Sequence, residues 1–119
     1  MKAAIVVLLA AMALPASAQL AMLHNQAMMR IMCNSYADTA QHAAIARDRG
    51  AQYAIIKGMN ERALRQGMAS SQTLTREEKA FEFQYLSGAI DYAYLTMPGT
   101  PPQQVHDDAL NQCLGQFGL

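Results

Sequence analysis

The sequence predicts an all-α fold: a small four-helix domain that follows a signal peptide and is closed by one disulfide. Apolar residues recur at steps of three and four, and no segment shows the strict two-residue alternation of a strand. The two cysteines lie far apart in the chain, which suits a bridge between distant elements. The approximate bounds of the predicted helices are 20–49, 52–68, 75–97 and 101–117.

The first predicted helix occupies residues 20–49, a stretch that contains neither proline nor glycine. Gly50 follows the basic residues Arg47 and Arg49, and a glycine after a basic last turn is the usual end of a helix. One helical face carries the residues at steps of three and four, which are Met29, Cys33, Tyr36, Ala40, Ala43 and Arg47.

The second predicted helix, residues 52–68, has an apolar stripe and two glycines. Each glycine costs about 1 kcal/mol relative to alanine inside a helix, so we expect this helix to be weakest, and open to a break, near Gly67. One side of this helix carries Tyr53, Ile56, either Met59 or Asn60, and Ala63, and Leu64 and Ile55 widen the stripe.

The third and fourth predicted helices have recognisable starts. Thr75 and Glu78 are spaced as a capping box, in which each side chain satisfies a backbone amide of the first turn. Pro98 and Gly99 end the third helix, and the fourth is predicted to begin with Thr100 as cap and Pro101 at the first helical position. The inner face of the fourth helix contains Val105, Ala109, Cys113 and Phe117.

Residues 1–18 are predicted to be a cleavable signal peptide. Lys2 supplies a basic start, residues 3–14 are uncharged and apolar, and the segment ends in Ala16-Ser17-Ala18 before Gln19. The apolar run is shorter than the roughly 20 residues that span a bilayer, and no later stretch is long and apolar enough. We therefore expect residues 19–119 to form one exported domain without a transmembrane segment, periplasmic or else secreted.

The cysteines indicate a structural disulfide. Export places Cys33 and Cys113 in an oxidising compartment, where only one pairing exists. A redox-active pair usually has the compact Cys-x-x-Cys spacing, which these two residues lack. The chain-entropy treatment assigns a bridge of this span about 4 kcal/mol of stabilisation.

Charge composition excludes some partners. Nine basic and nine acidic side chains are distributed along the chain, and Lys2 would leave with the signal peptide. Nucleic acids and anionic membranes call for a basic patch, which the sequence does not contain. No catalytic, nucleotide-binding or strong metal motif is present either, so we expect neither an enzyme nor a cofactor.

Methionine is the unusual component of the chain, and it supports two alternatives. The first is a copper site, because His24, Met28 and Met32 share a helical face and thioether and imidazole ligands suit Cu(I). The three residues span about 12 Å along the helix, so only an adjacent pair of them could bind one ion. The other alternative is an adaptable apolar surface for a second envelope protein. Its candidate residues are Met22, Met28, Met29 and Met32.

Two charged clusters have structural and functional explanations. Asp38 and His42 are one helical turn apart and could hydrogen-bond. The structural explanation is a surface pair on the first helix, and the functional one is a histidine that the carboxylate orients as a general base. Arg47 and Asp48 sit at the end of the first helix, where a basic residue complements the helix dipole. Binding of an anionic group is the alternative for this second cluster.

The layout of Cys33, then Arg47-Asp48-x-Gly50, then a terminal Cys113 is similar to that of a set of short exported proteins of proteobacteria. Small residues at Ala37, Ala40, Ala43 and Ala44, and prolines at Pro98 and Pro101, extend the resemblance over most of residues 19–119. The resemblance implies a periplasmic helical domain and implies no activity. The sequence thus predicts a non-catalytic interaction module, with copper binding as the alternative.

Overall fold

The structure, a computed structural model, describes residues 25–119. The predicted signal peptide, the cleavage site before Gln19, and the candidate residues Met22 and His24 lie outside the described residues.

Within the described residues the fold consists of four α-helices: α1 (Gln26–Asp48), α2 (Tyr53–Ala69), α3 (Arg76–Asp91) and α4 (Pro102–Gln116). A single π-helical turn, Tyr92–Thr96, extends α3. No strand occurs between residues 25 and 119. The predicted all-α, four-helix fold is confirmed.

α1 begins later than the apolar pattern indicates. Asn25 is not helical, and its side-chain oxygen accepts a hydrogen bond from the amide of Met28 at 3.1 Å. An asparagine in this position competes with helical backbone bonding and caps the helix instead. The apolar pattern alone does not indicate this cap.

Gly50 ends α1, as predicted. Its φ of 87° is left-handed, a conformation open to glycine without strain. The amide of Gly50 donates to the carbonyl of Arg47 at 2.9 Å, and the amide of Ala51 donates to that of Ala46 at 3.0 Å. These two bonds form a Schellman motif and satisfy the last carbonyls of α1.

The capping box at the start of α3 is also confirmed. The amide of Glu78 donates to the Thr75 hydroxyl at 3.1 Å, and the amide of Thr75 donates to the Glu78 carboxylate at 2.9 Å. At the other end, the regular helix stops at Asp91 and the backbone widens into the π turn.

Two details of the predicted helices differ from the structure. α4 begins at Pro102, with Pro101 in the cap position, so the predicted start is one residue early. Thr100 instead belongs to a turn, in which its amide donates to the carbonyl of Met97 at 3.2 Å. α2 continues without a break through Gly67 to Ala69.

The core lies between α1, α3 and α4. α1 packs most extensively on α4 and α3, and the predicted disulfide joins Cys33 of α1 to Cys113 of α4, with 5.5 Å between the Cα atoms. Both cysteines are buried. The other large residues of the core include Met29, Met32, Tyr36, Phe81, Tyr85, Ile90, Tyr92 and Val105.

An aromatic cluster fills the middle of this core. The ring centroids of Tyr36 and Tyr85 lie 4.9 Å apart, and Phe117 of the C-terminal segment lies 5.5 Å from Tyr85. Tilted ring pairs at such distances add about 0.5–1.5 kcal/mol beyond the area they bury. Removal from water raises the pKa of both tyrosines, so their hydroxyls stay neutral.

α2 is the peripheral helix. It packs on α3, barely meets α1, and contains no fully buried residue. Within its apolar stripe, Tyr53, Ile56 and Leu64 are partly buried against the core, whereas Ile55 is 58% exposed and Met59 is 54% exposed. The stripe is therefore wider than the surface that α2 buries.

Candidate functional site

The methionine-rich part of α1 faces the core. Met29 and Met32 are each 1% exposed, and Met28 is partly buried against the same cluster. The prediction that Met29 and Met32 form a partner surface is therefore wrong. Met29 and Met32 lie on the same face of α1 as Cys33 and Tyr36, which is the face that α3 and α4 cover. Ile31 lies on the opposite side and is exposed.

The same burial bears on the copper hypothesis. Met32 would have to leave the core before its sulfur could bind an ion, and His24 lies outside the described residues. Among residues 25–119, no three His, Cys, Asp or Glu side chains lie close enough together to hold a metal ion. Copper binding stays a prediction without support from this part of the chain.

Asp38 pairs with a residue of α4 instead of with His42. Its carboxylate lies 3.0 Å from Nε2 of His106, and Nδ1 of His106 lies 3.3 Å from the carboxylate of Asp107. The start of α4 crosses α1 at this point, which the sequence could not indicate. Both ring nitrogens of His106 are occupied, so this cluster joins two helices and orients no free base.

Arg47 binds the turn that follows α3. One Nη atom lies 2.7 Å from the carbonyl oxygens of both Ala93 and Met97, and the other lies 2.6 Å from that of Thr100. Its guanidinium also pairs with Asp48 at 3.0 Å. The guanidinium is thus fully engaged by protein groups, which favours the structural role of the Arg47–Asp48 cluster over anion binding.

A row of polar side chains attaches α2 to α3. Lys57 donates to the carbonyl of Ser87 at 2.9 Å and forms an ion pair with Asp91 at 3.0 Å. Tyr53 donates to the same Asp91 carboxylate, and Ser87 donates to Glu61 at 3.0 Å. Each side chain is engaged by the opposite helix, so the row acts as an interhelical latch, which we call the α2 latch.

The α2 latch changes the acidity of one of its members. The hydrogen bond to Asp91, together with partial burial, raises the pKa of Tyr53 to about 12. The negative charge of Asp91 favours the neutral phenol, because an ionised phenolate would face a carboxylate. Tyr53 therefore remains a hydrogen-bond donor over the whole physiological range.

The loose contact between α1 and α2 leaves an open groove, which we call the α1–α2 groove. Its volume is about 370 Å³, and its floor includes the buried side chain of Ile90 from α3. The walls alternate small, apolar and neutral polar groups. They consist of Thr39, His42, Ala43 and Ala46 from α1 and Ile56, Met59 and Asn60 from α2.

This groove is the best candidate site among the described residues. Its rim carries the exposed Met59, and Ile55 lies exposed one turn earlier on α2. The groove could not be predicted from the sequence, because its walls come from three helices. The one sequence feature that indicates an uncovered apolar surface is the width of the α2 stripe, which is larger than a peripheral helix can bury.

The chain matches no protein-family model, no curated protein and no solved structure at a significant level. None of the helices within residues 25–119 is both long and apolar enough to cross a membrane.

Proposed function

We propose that this chain is an exported helical module of the cell envelope that binds an amphipathic helix of another envelope protein, without catalysis. The observation that carries the proposal is the α1–α2 groove, an open apolar channel with Met59 exposed on its rim. A helix that lays its apolar face into such a groove is a recurrent mode of recognition.

The composition of the groove suits a helix. Ile56 and Ile90 offer apolar surface, whereas Thr39 and Asn60 offer neutral hydrogen-bonding groups, although the Asn60 amide also donates to the carbonyl of Leu86 at 3.5 Å. Met59 can adapt to side chains of different shapes, because methionine is unbranched and polarisable. Apart from His42, no titratable side chain of the described residues lines the α1–α2 groove, so the groove would select its partner by an apolar face.

Export supports an envelope partner over a cytoplasmic one. The basic, apolar and small-residue parts of a secretory signal occur in order at residues 1–18. The Cys33–Cys113 disulfide needs an oxidising compartment, such as the periplasm. Both features support an interaction outside the cytoplasm.

Groove binding is tested by titrating the isotope-labelled protein with a neutral amphipathic helical peptide that has a leucine face. We expect saturable changes in the amide resonances of Thr39, Ile56 and Met59. Met59→Glu should weaken binding about tenfold, because a charge would enter a desolvated contact. The matched control is Ile31→Glu, which adds the same charge at a position 67% exposed and outside the groove.

Three outcomes would refute the interaction. One is the absence of saturable binding, and another is equal loss of binding in both variants. The third is concentration-dependent self-association that Met59→Glu abolishes, since the occupant would then be a second copy of this chain. Analytical ultracentrifugation of the free protein separates this third case from the first two.

The export part has its own test. Mass spectrometry of the product made from the full sequence should find a chain that begins at Gln19 and is two hydrogens lighter than the dithiol. A product that retains Met1, or that contains both free thiols, would contradict export. This result is independent of whether the groove binds a helix.

A further inference from the structure

A second cavity lies between the end of α2 and the start of α3, on a different part of the surface from the α1–α2 groove. We call it the α2–α3 crevice, and its volume is about 370 Å³. One wall contains Arg65, Met68 and Ala69. The other contains Lys79, Ala80, Phe83 and Gln84.

Two cations stand at this crevice without acidic partners among residues 25–119. Neither Arg65 nor Lys79 forms an ion pair or donates a side-chain hydrogen bond to any described residue. The guanidinium carbon of Arg65 lies 4.9 Å from the centre of the Phe83 ring. Stacking of this kind leaves the N–H groups at the guanidinium edge available to an anion.

The acids of the first turns of α3 do not line the crevice. Glu78 accepts a hydrogen bond from the amide of Thr75 in the capping box. Partial burial, with Glu78 as a second cause, raises the pKa of Glu82. The charged side chains among the lining residues are therefore Arg65 and Lys79, and both are cations.

Most of the remaining lining is apolar: Met68, Ala69, Ala80 and Phe83 form the walls, with Gln84 as the neutral polar member. The backbone groups of α3 are bonded within the helix, and at the end of α2 the carbonyl of Met68 accepts from the amide of Ser71 at 3.1 Å, so few backbone groups are left for a peptide. Peptide groups of a ligand that lost water there would gain few partners, which costs free energy. A hydrocarbon chain carries no such groups.

We propose that the α2–α3 crevice binds a medium-chain fatty acid, with the carboxylate between Arg65 and Lys79 and the hydrocarbon tail against Phe83 and Met68. A planar guanidinium can donate two parallel hydrogen bonds to a carboxylate, and the lysine ammonium adds a second positive charge. Lys79 to Gln84 cover only about 7.5 Å of helix, at the usual rise per residue, which limits the length of tail that this wall can contact.

Sodium octanoate is the probe for this proposal, titrated against the isotope-labelled, disulfide-bonded protein. We expect one saturable site, with amide shifts at Lys79, Phe83 and Gln84. Arg65→Gln and Lys79→Gln should each weaken octanoate about fivefold to tenfold, because each removes a charge-assisted contact at a partly exposed site. Arg62→Gln is the matched control, since Arg62 is exposed on α2 and does not line the crevice.

Comparison ligands test the head and the tail separately. Octyltrimethylammonium has the same tail and the opposite charge, and acetate has the same head without the tail, so both should bind at least tenfold more weakly. Met59→Glu in the α1–α2 groove should leave octanoate affinity unchanged, which keeps this test separate from that of the helix-binding proposal.

Several results would overturn the proposal. Equal affinity for octanoate and acetate would show a bare anion site, and equal affinity for the ammonium amphiphile would show a site without charge selection. Unchanged affinity in Arg65→Gln and Lys79→Gln would exclude these cations. Saturable binding of a free-acid leucine peptide in the absence of octanoate binding would assign the crevice to peptide C-termini.

Discussion

Arg47 belongs to the last turn of α1, but its side chain donates hydrogen bonds to the segment that follows α3. In the π turn, the amide of Met97 donates to the carbonyl of Tyr92 at 2.9 Å, whereas in an α-helix it would donate to that of Ala93. The carbonyl of Ala93 instead accepts from Arg47. The π turn and Arg47 are therefore a matched pair, and the end of α3 is capped from α1.

Replacing Arg47 by methionine should lower the free energy of unfolding by about 2–4 kcal/mol. Three carbonyls would lose a charged donor at a side chain that is only 11% exposed. Arg47→Lys should lose less, because one ammonium still reaches some of these carbonyls. The measurement is urea unfolding followed by circular dichroism, with the disulfide intact.

Arg49→Met is the control for that experiment, since Arg49 is exposed and forms no ion pair with any residue from 25 to 119. We expect its effect to stay within about 0.5 kcal/mol. A comparable loss in both variants would mean that Arg47 acts only through general charge at the end of α1, and that the three carbonyl contacts are not stabilising.

Tyr53 should make the protein sensitive to alkali. The pKa of Tyr53 is raised to about 12 in the folded protein, from about 10 in the unfolded chain, so folding favours the neutral phenol. The resulting stabilisation is fully present below pH 10 and is lost as the pH rises from about 10 to 12. Burial raises the pKa of Tyr36 and Tyr85 in the same direction.

The corresponding test compares the urea midpoints of the parent and Tyr53→Phe at pH 8 and pH 11. The variant should lose less stability between these two values, while the other tyrosines keep a residual dependence. Equal losses in parent and variant would show that the bond to Asp91 does not persist in solution.

At the scale of helices, local chemistry was predictable and packing was not. Thr75 with Glu78, and Gly50, act within a few residues of themselves, and the structure confirms both signals. The π turn depends on Arg47 from another helix, so no local pattern could predict it. The start of α4 moved by one residue because Pro101 and Pro102 are both acceptable at a helix start.

α2 should be the least stable helix, because it contributes no buried side chain and depends on the α2 latch. Asp91→Asn removes the ion pair with Lys57 and the charged acceptor of Tyr53. We expect amide exchange in α2 to accelerate about tenfold, the equivalent of roughly 1.4 kcal/mol, with little change in α1 and α4. Hydrogen exchange measured by mass spectrometry reports each helix separately.

Asp108→Asn on α4 makes the same chemical change away from the α2 latch and should leave exchange in α2 unaltered. Uniform acceleration across all four helices in Asp91→Asn would contradict the prediction. Such a result would mean that α2 opens only when the whole protein unfolds.

At the scale of the whole molecule, the sequence predicted which helices the disulfide joins but not which apolar surfaces remain uncovered. Two cysteines have one pairing, and both lie on faces that their helices bury. Met32 and Met59 are chemically identical, yet one is in the core and the other is on a groove. The difference arises from the placement of α2 against α3, which depends on polar partners brought together from distant positions.

The disulfide should be the largest single contribution to global stability. Cys33 and Cys113 are separated by 80 residues, and their bridge joins the two helices that pack most extensively on each other. Replacing both by alanine should lower the free energy of unfolding by about 2–5 kcal/mol. The aromatic cluster around Tyr85 remains in this variant, so we expect a folded protein with lower stability.

Urea unfolding of the double variant and of the parent, each with and without a phosphine reductant, measures this contribution. The reductant should lower the midpoint of the parent and leave the variant unchanged, since only the parent has a bond to reduce. In the folded parent the phosphine should reduce the disulfide slowly, because both cysteines are buried in the core. A double variant as stable as the oxidised parent would show that the packing of α1 on α4 stabilises the fold without the disulfide. Stability of the fold would then give no reason for the protein to require an oxidising compartment.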